Sequence, residues 1–420
     1  KLLKDSLNNN FVEQYRSYRD KVDNPTSGKY IARIYDIEQL YDQFGYGVQK
    51  SPLAIRNFVA FAEQTFTSSN SPEYLFIIGK GREYQKMRLG AALYNVNTYN
   101  QSLVPTFGYP GSDILLTGKR GLNQPTLAVG RLAAENPYQI RDYLNKIKEY
   151  ELQQSTFGDP HQNKLEKLWM KQVLHFGGGE EVFEQVMIKD FLNNYKGIVQ
   201  DTFWGAHVTS YFKTSSAPID ITLSQVIKGR IDSGVSLMTF FGHAATTAFD
   251  ISVDEPENYT NQGKYPVIIS NGCFTGFIHD ALPGYSERFV LAPNKGAIAF
   301  LATSSTSRTD GLDNFSTNLY KNFNKGFYNK SFGKALQRTA TQMDTLSTDG
   351  DFTSMVAYEM TLHGDPGIKL NQYDIPDYEI DNTSMYFTPS TVNASVDTFE
   401  VNIINTNLGR AIRDTTFHVK

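Results

Sequence analysis

The chain is short of the features that announce most function classes. It holds one cysteine, Cys273, in 420 residues, so an internal disulfide framework is excluded. It has no apolar run near the roughly 18 residues that cross a bilayer as a helix. Its opening, KLLKDSLNNN, lacks the apolar core of a signal peptide, and the chain reads as the middle of a longer protein. The net charge is -4 with no basic block, which argues against a nucleic-acid partner. No GxGxxG, Walker A, GxSxG or HExxH motif occurs, and the histidines show no zinc-ligand spacing.

Against that background one stretch stands out. Val235–Phe241 and Pro266–Ser270 are short apolar runs that read as buried strands, each running into a glycine beside a reactive side chain. The first leads to Gly242-His243 and the second, through Asn271, to Gly272-Cys273. In open parallel sheets the carboxyl ends of strands line the ligand crevice, so neighbouring strands would deliver His243 and Cys273 side by side. A cysteine nucleophile needs thiolate character, access and a proton shuttle. The N–H groups of Ala244 and Cys273 would be the oxyanion donors. The plain alternative is a buried cysteine and a structural histidine.

Strands alternate with helices through most of the chain, which predicts an α/β fold with a mainly parallel sheet. Helical spacing covers Ile31–Leu40, Pro52–Thr67 and Pro137–Leu152, the last with Ile140, Tyr143, Leu144, Ile147 and Tyr150 on one face. Strands are read at Glu73–Gly79, Leu127–Arg131, Lys171–Phe176, His207–Phe212 and Gly296–Thr303. Further helices are read at Val182–Tyr195, Ile219–Ser233, Asp313–Phe323, Phe332–Met343 and Phe352–Leu362, and a last strand at His363–Leu370. The polar segment with Gly158-Asp-Pro160 marks a boundary. The expected organisation is an α/β subdomain over 1–152, a catalytic α/β subdomain over 153–370, and from 371 to 420 the truncated start of a β-sandwich.

The order of these signals resembles the gingipain family of cysteine peptidases. Leu127-Ala-Val-Gly-Arg131 followed by a Tyr-rich helix, Phe241-Gly-His243, Cys273-Phe-Thr-Gly276 with Ser286-Glu-Arg-Phe289, Gly296-Ala-Ile-Ala299 and Gly364-Asp-Pro366 look like its successive segments. The resemblance implies a caspase-like α/β fold in two subdomains followed by an immunoglobulin-like sandwich, and a Cys273–His243 dyad. It also implies an acidic residue that orients the histidine. Glu180 in Gly177-Gly-Gly-Glu180-Glu181 falls at the matching place, with Glu181 as the alternative or as a substrate-contacting residue. Both also suit the start of a helix, where acids favour the macrodipole.

The chain departs from the family at two positions. Ala244 follows His243 where glycine is usual, and Gly272 precedes Cys273 where alanine is usual. Within the family, Asn271-Gly-Cys-Phe-Thr-Gly276 and the tail look closest to the type IX secretion sortases. That implies a surface or secreted location, cargo with C-terminal signal domains, a lipopolysaccharide amine as acceptor and outer-membrane secretion components as partners. The alternatives are a secreted endopeptidase that only hydrolyses and an inactive surface-binding module. No cofactor is required. The acids Asp250, Asp254, Glu255 and Glu257, and Asp344, Asp349 and Asp351, are read as solvated loops or, through the resemblance, as structural calcium ligands. Arg308 is a candidate for a specificity pocket or a solvated loop residue.

Overall fold

Eight strands form one sheet. In chain order they are β1 (Tyr74–Ile78), β2 (Ala128–Leu132), β3 (Gln172–Gly177), β4 (His207–Phe212), β5 (Leu237–Phe241), β6 (Val267–Asn271), β7 (Ala299–Thr303) and β8 (Met360–His363). The computed structural model describes residues 2, 4–26, 28–66, 71–83, 87, 96–119, 123–155, 164–201, 203–217, 219, 224–246, 248–346, 353–370, 375–380 and 384–411. Gly158-Asp-Pro160, Asp349 and Asp351 lie outside the described residues.

The spatial order is β1-β2-β8-β7-β6-β5-β3-β4. β4, β3, β5, β6 and β7 run parallel to one another, and β1, β2 and β8 form a second parallel block. The blocks meet antiparallel at β7 and β8, with Met360 opposite Thr303 and His363 opposite Phe300. β5, β6 and β7 are buried along their whole length, which is why they read as continuous apolar runs rather than alternating ones. From β3 the chain steps outward to β4, then returns to the other side of β3 as β5. That reversal makes the β3–β5 boundary a switch point, where strand ends diverge and leave a crevice.

Helices cover the sheet. The helix Pro137–Ser155 starts with proline in its first turn and with the Asn136 side chain accepting the Gln139 N–H at 3.1 Å. Its predicted apolar face is buried: Ile140, Tyr143, Leu144, Ile147 and Tyr150 are each at most 1% exposed. Each such side chain contributes about 1.5–3 kcal/mol on burial. Arg131 of β2 is fully buried, yet all five of its N–H groups are used. Two meet Asp113 (2.6 and 2.7 Å), and three meet the carbonyls of Gly79, Val104 and Pro105 (2.8–3.0 Å). A buried cation without that set would be costly.

The sequence reading misses the helix Phe11–Arg19, and among the elements it does predict the last strand and the first helix shift most. The final strand is Met360–His363, before the Gly364-Asp-Pro turn rather than after it, and the preceding helix stops at Glu359. Helix and strand run on without a break between them, so periodicity alone placed the boundary several residues late. The helix expected over Ile31–Leu40 begins only at Ile37, where the Asp36 side chain accepts the Glu38 N–H at 2.9 Å. Beyond residue 374 the chain forms antiparallel pairs, Tyr378–Glu379 with Thr406–Asn407 and Met385–Thr388 with Glu400–Ile403. Buried Lys171 ties this tail to the α/β body by donating to the Gly409 carbonyl at 2.8 Å.

Candidate active site

β5 and β6 pair in register, ending with Phe241 opposite Asn271. The next two residues of each strand are Gly242-His243 and Gly272-Cys273, so the histidine and the cysteine leave the sheet side by side at the carboxyl edge. Cys273 is half-buried, and the His243 side chain is 53% exposed, which leaves both open to a substrate.

The cysteine turn is built from neutral groups. The hydroxyls of Thr303 and Thr275 lie 3.0 and 3.2 Å from the Gly272 carbonyl. The Thr275 hydroxyl also meets Ser270 Oγ at 2.7 Å. The Phe274 N–H donates to the Ser305 carbonyl (3.1 Å) and the Gly276 N–H to Thr303 (2.9 Å). Phe274 takes φ +59°, a left-handed conformation uncommon outside glycine, and these bonds hold it there.

The histidine turn has charged groups around it. His243 Nε2 lies 3.2 Å from Glu184 Oε2. Glu184 is the third residue of the Val182–Val199 helix, and the same oxygen accepts the N–H groups of Glu180 (3.0 Å) and Glu181 (3.3 Å). Partial burial pushes the Glu184 carboxyl up, but the two N–H donors and His243 outweigh it and hold it below the ordinary carboxylate range. With Nε2 so engaged, Nδ1 is the ring nitrogen left to face a reacting group. On the other side, the Asp250 N–H donates to the His243 carbonyl at 3.0 Å. Asp250 Oδ2 accepts the Gly179 N–H at 2.8 Å and faces buried Lys213 Nζ at 3.4 Å. Asp250 is only 5% exposed. Burial raises its pKa despite the opposing pull of Gly179, Lys213 and His243. One residue thus ties the His243 turn to the Gly177–Gly179 loop that leads to Glu184.

Close approach explains the glycines. A Cβ at Gly178 would sit 2.0 Å from Asp250 Oδ1. At Gly272 an added Cβ would lie 2.6 Å from the Ala244 Cβ and 2.9 Å from the Phe240 ring. The two departures from the family pattern are therefore one: Ala244 fills the space that an alanine before the cysteine would take, and only one methyl fits.

The sequence-predicted residues distribute as follows. His243 and Cys273 each stand two residues past the register partners Phe241 and Asn271, at the same edge of the sheet, and among the described residues neither the Ala244 nor the Cys273 N–H donates to a backbone carbonyl. The carboxylate against His243 is Glu184 rather than Glu180. The Glu180 side chain is exposed, and its N–H serves the cap. Glu181 is the exposed residue at the N-cap position. A capping pattern, Glu181-x-x-Glu184, was the available signal: the third helical residue folds back over the preceding loop and so reaches the histidine. Arg308 is exposed on the surface and paired with Asp310 at 3.0 Å. The acids between His243 and Cys273 are largely engaged. Asp250 faces Lys213, while Glu255 and Glu257 meet Arg288 at 2.7 and 2.9 Å. Among the described residues no group of three His, Cys, Asp or Glu is placed to hold a metal, and no helix is long and apolar enough to cross a membrane.

Comparison with known proteins bears on this geometry. None of the curated protein sequences matches the chain significantly. Among solved structures, the complex of the Porphyromonas gingivalis RgpB pro- and mature domains superposes with TM-score 0.64 at 15% identity, covering 93% of this chain and 83% of that one. The Arg-specific cysteine proteinase gingipain R (RgpB) gives TM-score 0.57 at 16% identity over 87% of this chain and 81% of that one. A structure described as a protease gives 0.58 at 16% identity over 80% and 75%. These likenesses establish the gingipain-type, caspase-like α/β fold. The sequence model of peptidase family C25 matches residues 6–371. The chain belongs to peptidase family C25, the gingipain family of cysteine peptidases.

Proposed function

We propose that Cys273 and His243 catalyse acyl transfer from a peptide bond, with Glu184 positioning the histidine. The in-register exit of both side chains from β5 and β6 carries this reading. The Cys273 thiol gives its proton to His243 and the sulfur bonds to the substrate carbonyl carbon. The Ala244 and Cys273 N–H groups receive the oxyanion, one such donor contributing about 3 kcal/mol to the transition state. The carbon–nitrogen bond then breaks. The amine leaves with the proton held by His243, and an acyl-enzyme thioester remains. Water or a second amine attacks the thioester carbon and gives its proton to His243; the carbon–sulfur bond then breaks and the sulfur takes that proton from His243, which restores the thiol.

We further read the chain as a sortase-type transpeptidase resembling PorU of type IX secretion. In this reading it acts at the cell surface with outer-membrane secretion components. It removes C-terminal signal domains from cargo and passes the acyl group to an amine on anionic lipopolysaccharide. The Asn271–Gly276 sequence and the β-rich tail support this branch, and the exposure of His243 suits an incoming amine.

The test offers the purified protein a cargo that ends in a signal domain, with and without an amine acceptor. Acceptor-dependent ligation supports the sortase, and cleavage with water as the only effective acceptor supports a hydrolytic endopeptidase. Absence of both cleavage and Cys273 labelling by a thiol-reactive peptide would leave a binding module. Cys273→Ala abolishes every product in this scheme, and retained activity in that variant would overturn it.

A further inference from the structure

The helix Thr309–Lys321 carries none of the residues assigned to the reaction, yet its hydrogen bonds reach each element that does. Ser316 and Tyr320 stand one turn apart on one face of it, and both are fully buried. The Ser316 hydroxyl donates to Asn271 Oδ1 at 2.7 Å, and Asn271 is the last residue of β6, two before Cys273. The Tyr320 hydroxyl meets Thr239 Oγ1 of β5 at 2.5 Å, four residues before His243, and His175 Nε2 of β3 at 3.0 Å. Asp313 accepts the Tyr195 hydroxyl at 2.8 Å, and Thr317 accepts the Asn194 side-chain amide at 3.1 Å. Tyr195 and Asn194 belong to the Val182–Val199 helix, which supplies Glu184.

Burial alone gives no reason for this polar set. Replacing both partners of a buried hydrogen bond by apolar groups of the same shape is nearly neutral, whereas a polar group left unpaired is costly. Asn271 bears part of that cost: it is 1% exposed, and among the described residues its Nδ2 has no partner. What a hydrogen bond adds is direction, since it accepts a narrow range of distance and angle where apolar packing accepts many. The Asn271 carbonyl also accepts the Gly242 N–H at 3.4 Å, so one residue joins the cysteine turn to the histidine turn and to the helix. We propose that Asn271 and Ser316 are positioning residues for the nucleophile, and that the helix Thr309–Lys321 is the common frame that sets Cys273, His243 and Glu184 relative to one another. The proposal rests on the reading of Cys273 and His243 as nucleophile and base. It adds groups that touch neither the thiol nor the imidazole and act through the strand ends beneath them.

The test compares Ser316→Ala, Asn271→Leu and the double variant in the full chain. Two readouts are taken: kcat and KM on fluorescein-labelled casein, and the rate at which iodoacetamide alkylates Cys273 at neutral pH, which needs no substrate. Each single variant should lose about tenfold in kcat with KM nearly unchanged, the scale of a displacement somewhat under 1 Å. Because the two side chains act as a unit, the double variant should be no worse than Asn271→Leu. Alkylation should slow by a similar factor, since His243 no longer stands where it can take the thiol proton. A merely structural role moves that rate the other way, because loosening the core opens the thiol to the reagent. Thr339→Ala is the matched control. Thr339 is fully buried and accepts the Asn322 amide at 2.9 Å at the far end of the same helix, so its loss should lower the unfolding midpoint and leave kcat and alkylation as in the wild type. Ser316→Ala, the mildest change, carries the test should Asn271→Leu not fold. Casein left intact by the wild type would count against the peptidase reading alone, and alkylation would still decide this one. Faster or unchanged alkylation in Ser316→Ala, or an equal slowing in Thr339→Ala, would overturn the proposal.

Discussion

The two catalytic turns stand next to each other on paired strands, yet they are held by opposite means. The Cys273 turn is fixed by hydroxyl and backbone groups from Thr275, Thr303 and Ser305, none of which titrates in the working range. The His243 turn is held by the Glu184 carboxylate at the ring and by the Asp250 N–H at the His243 carbonyl, with the Asp250 carboxylate anchoring that segment to Gly179 and Lys213. The position of the nucleophile is thus insensitive to pH, while the position of the base rests on charge. Disturbing each separately tests the contrast.

The largest effect should take both turns together, through the fold beneath them. His175, His279 and His363 are at most 1% exposed, and burial holds their pKa values down to about 3, about 4 and about 3. The folded state therefore binds fewer protons than the unfolded chain below the ordinary histidine range. Stability falls as pH drops from about 6.5 toward 4, by on the order of 1.4 kcal/mol per pKa unit for each group. Buried Glu287 acts in the opposite sense. Burial raises it to about 7 despite Lys80 at 2.7 Å, so it gives back part of the loss between about pH 7 and 4.5. Urea unfolding at pH 7 and pH 4.5 should show a net loss of several kcal/mol. Equal midpoints would contradict the buried neutral histidines.

Asp250→Asn should break the histidine turn alone. It leaves Lys213 buried without its counter-charge, and removing one partner of a buried pair costs about 3 kcal/mol or more. The expected result is a lowered unfolding midpoint and a loss of peptidase activity, while a small alkylating reagent still reaches Cys273. Gly272→Ala should do the converse. The new methyl meets Ala244 at 2.6 Å, and a displacement of about 1 Å at a reacting group costs on the order of 100-fold in rate. Ala244→Gly in the same chain should recover most of that activity by vacating the space. A double variant no better than Gly272→Ala would mean that the methyl clash is not the cause.

Legibility in the sequence followed the range of the forces involved. The alternation of strands and helices and the buried stripe from Ile140 to Tyr150 were readable because periodicity is local. The ends of β5 and β6 were readable because an apolar run that stops at Gly-His or Gly-Cys marks both burial and its termination. Asp250 was not. Its neighbours Asp254, Glu255 and Glu257 made it look like one of a solvated set, and only the approach of Lys213 and Gly179 from other strand ends sets it apart. Met360–His363 was misread because its pairing with β7 and β2, not its own pattern, makes it a strand. Glu184 lay between these cases. Its capping role was visible, but its reach to His243 depends on where β5 ends.

The smallest effect decides which acid serves the histidine. Glu184→Gln keeps an oxygen for the N–H groups of Glu180 and Glu181, so the helix start should survive with little change in stability. It removes the negative charge 3.2 Å from Nε2. Glu184 is partly exposed, so solvent screens the interaction, and a loss of about tenfold in kcat with KM nearly unchanged is the scale to expect. The difference between wild type and variant should persist into mild acid, because the folded carboxyl is held below its usual range. It should close only as pH falls through that lowered value. Glu180→Gln is the matched control: its side chain points into solvent, and the variant should keep wild-type kcat. A larger loss from Glu180→Gln than from Glu184→Gln would return the positioning role to the loop, and the charge-held histidine turn would then need a different partner when substrate is bound.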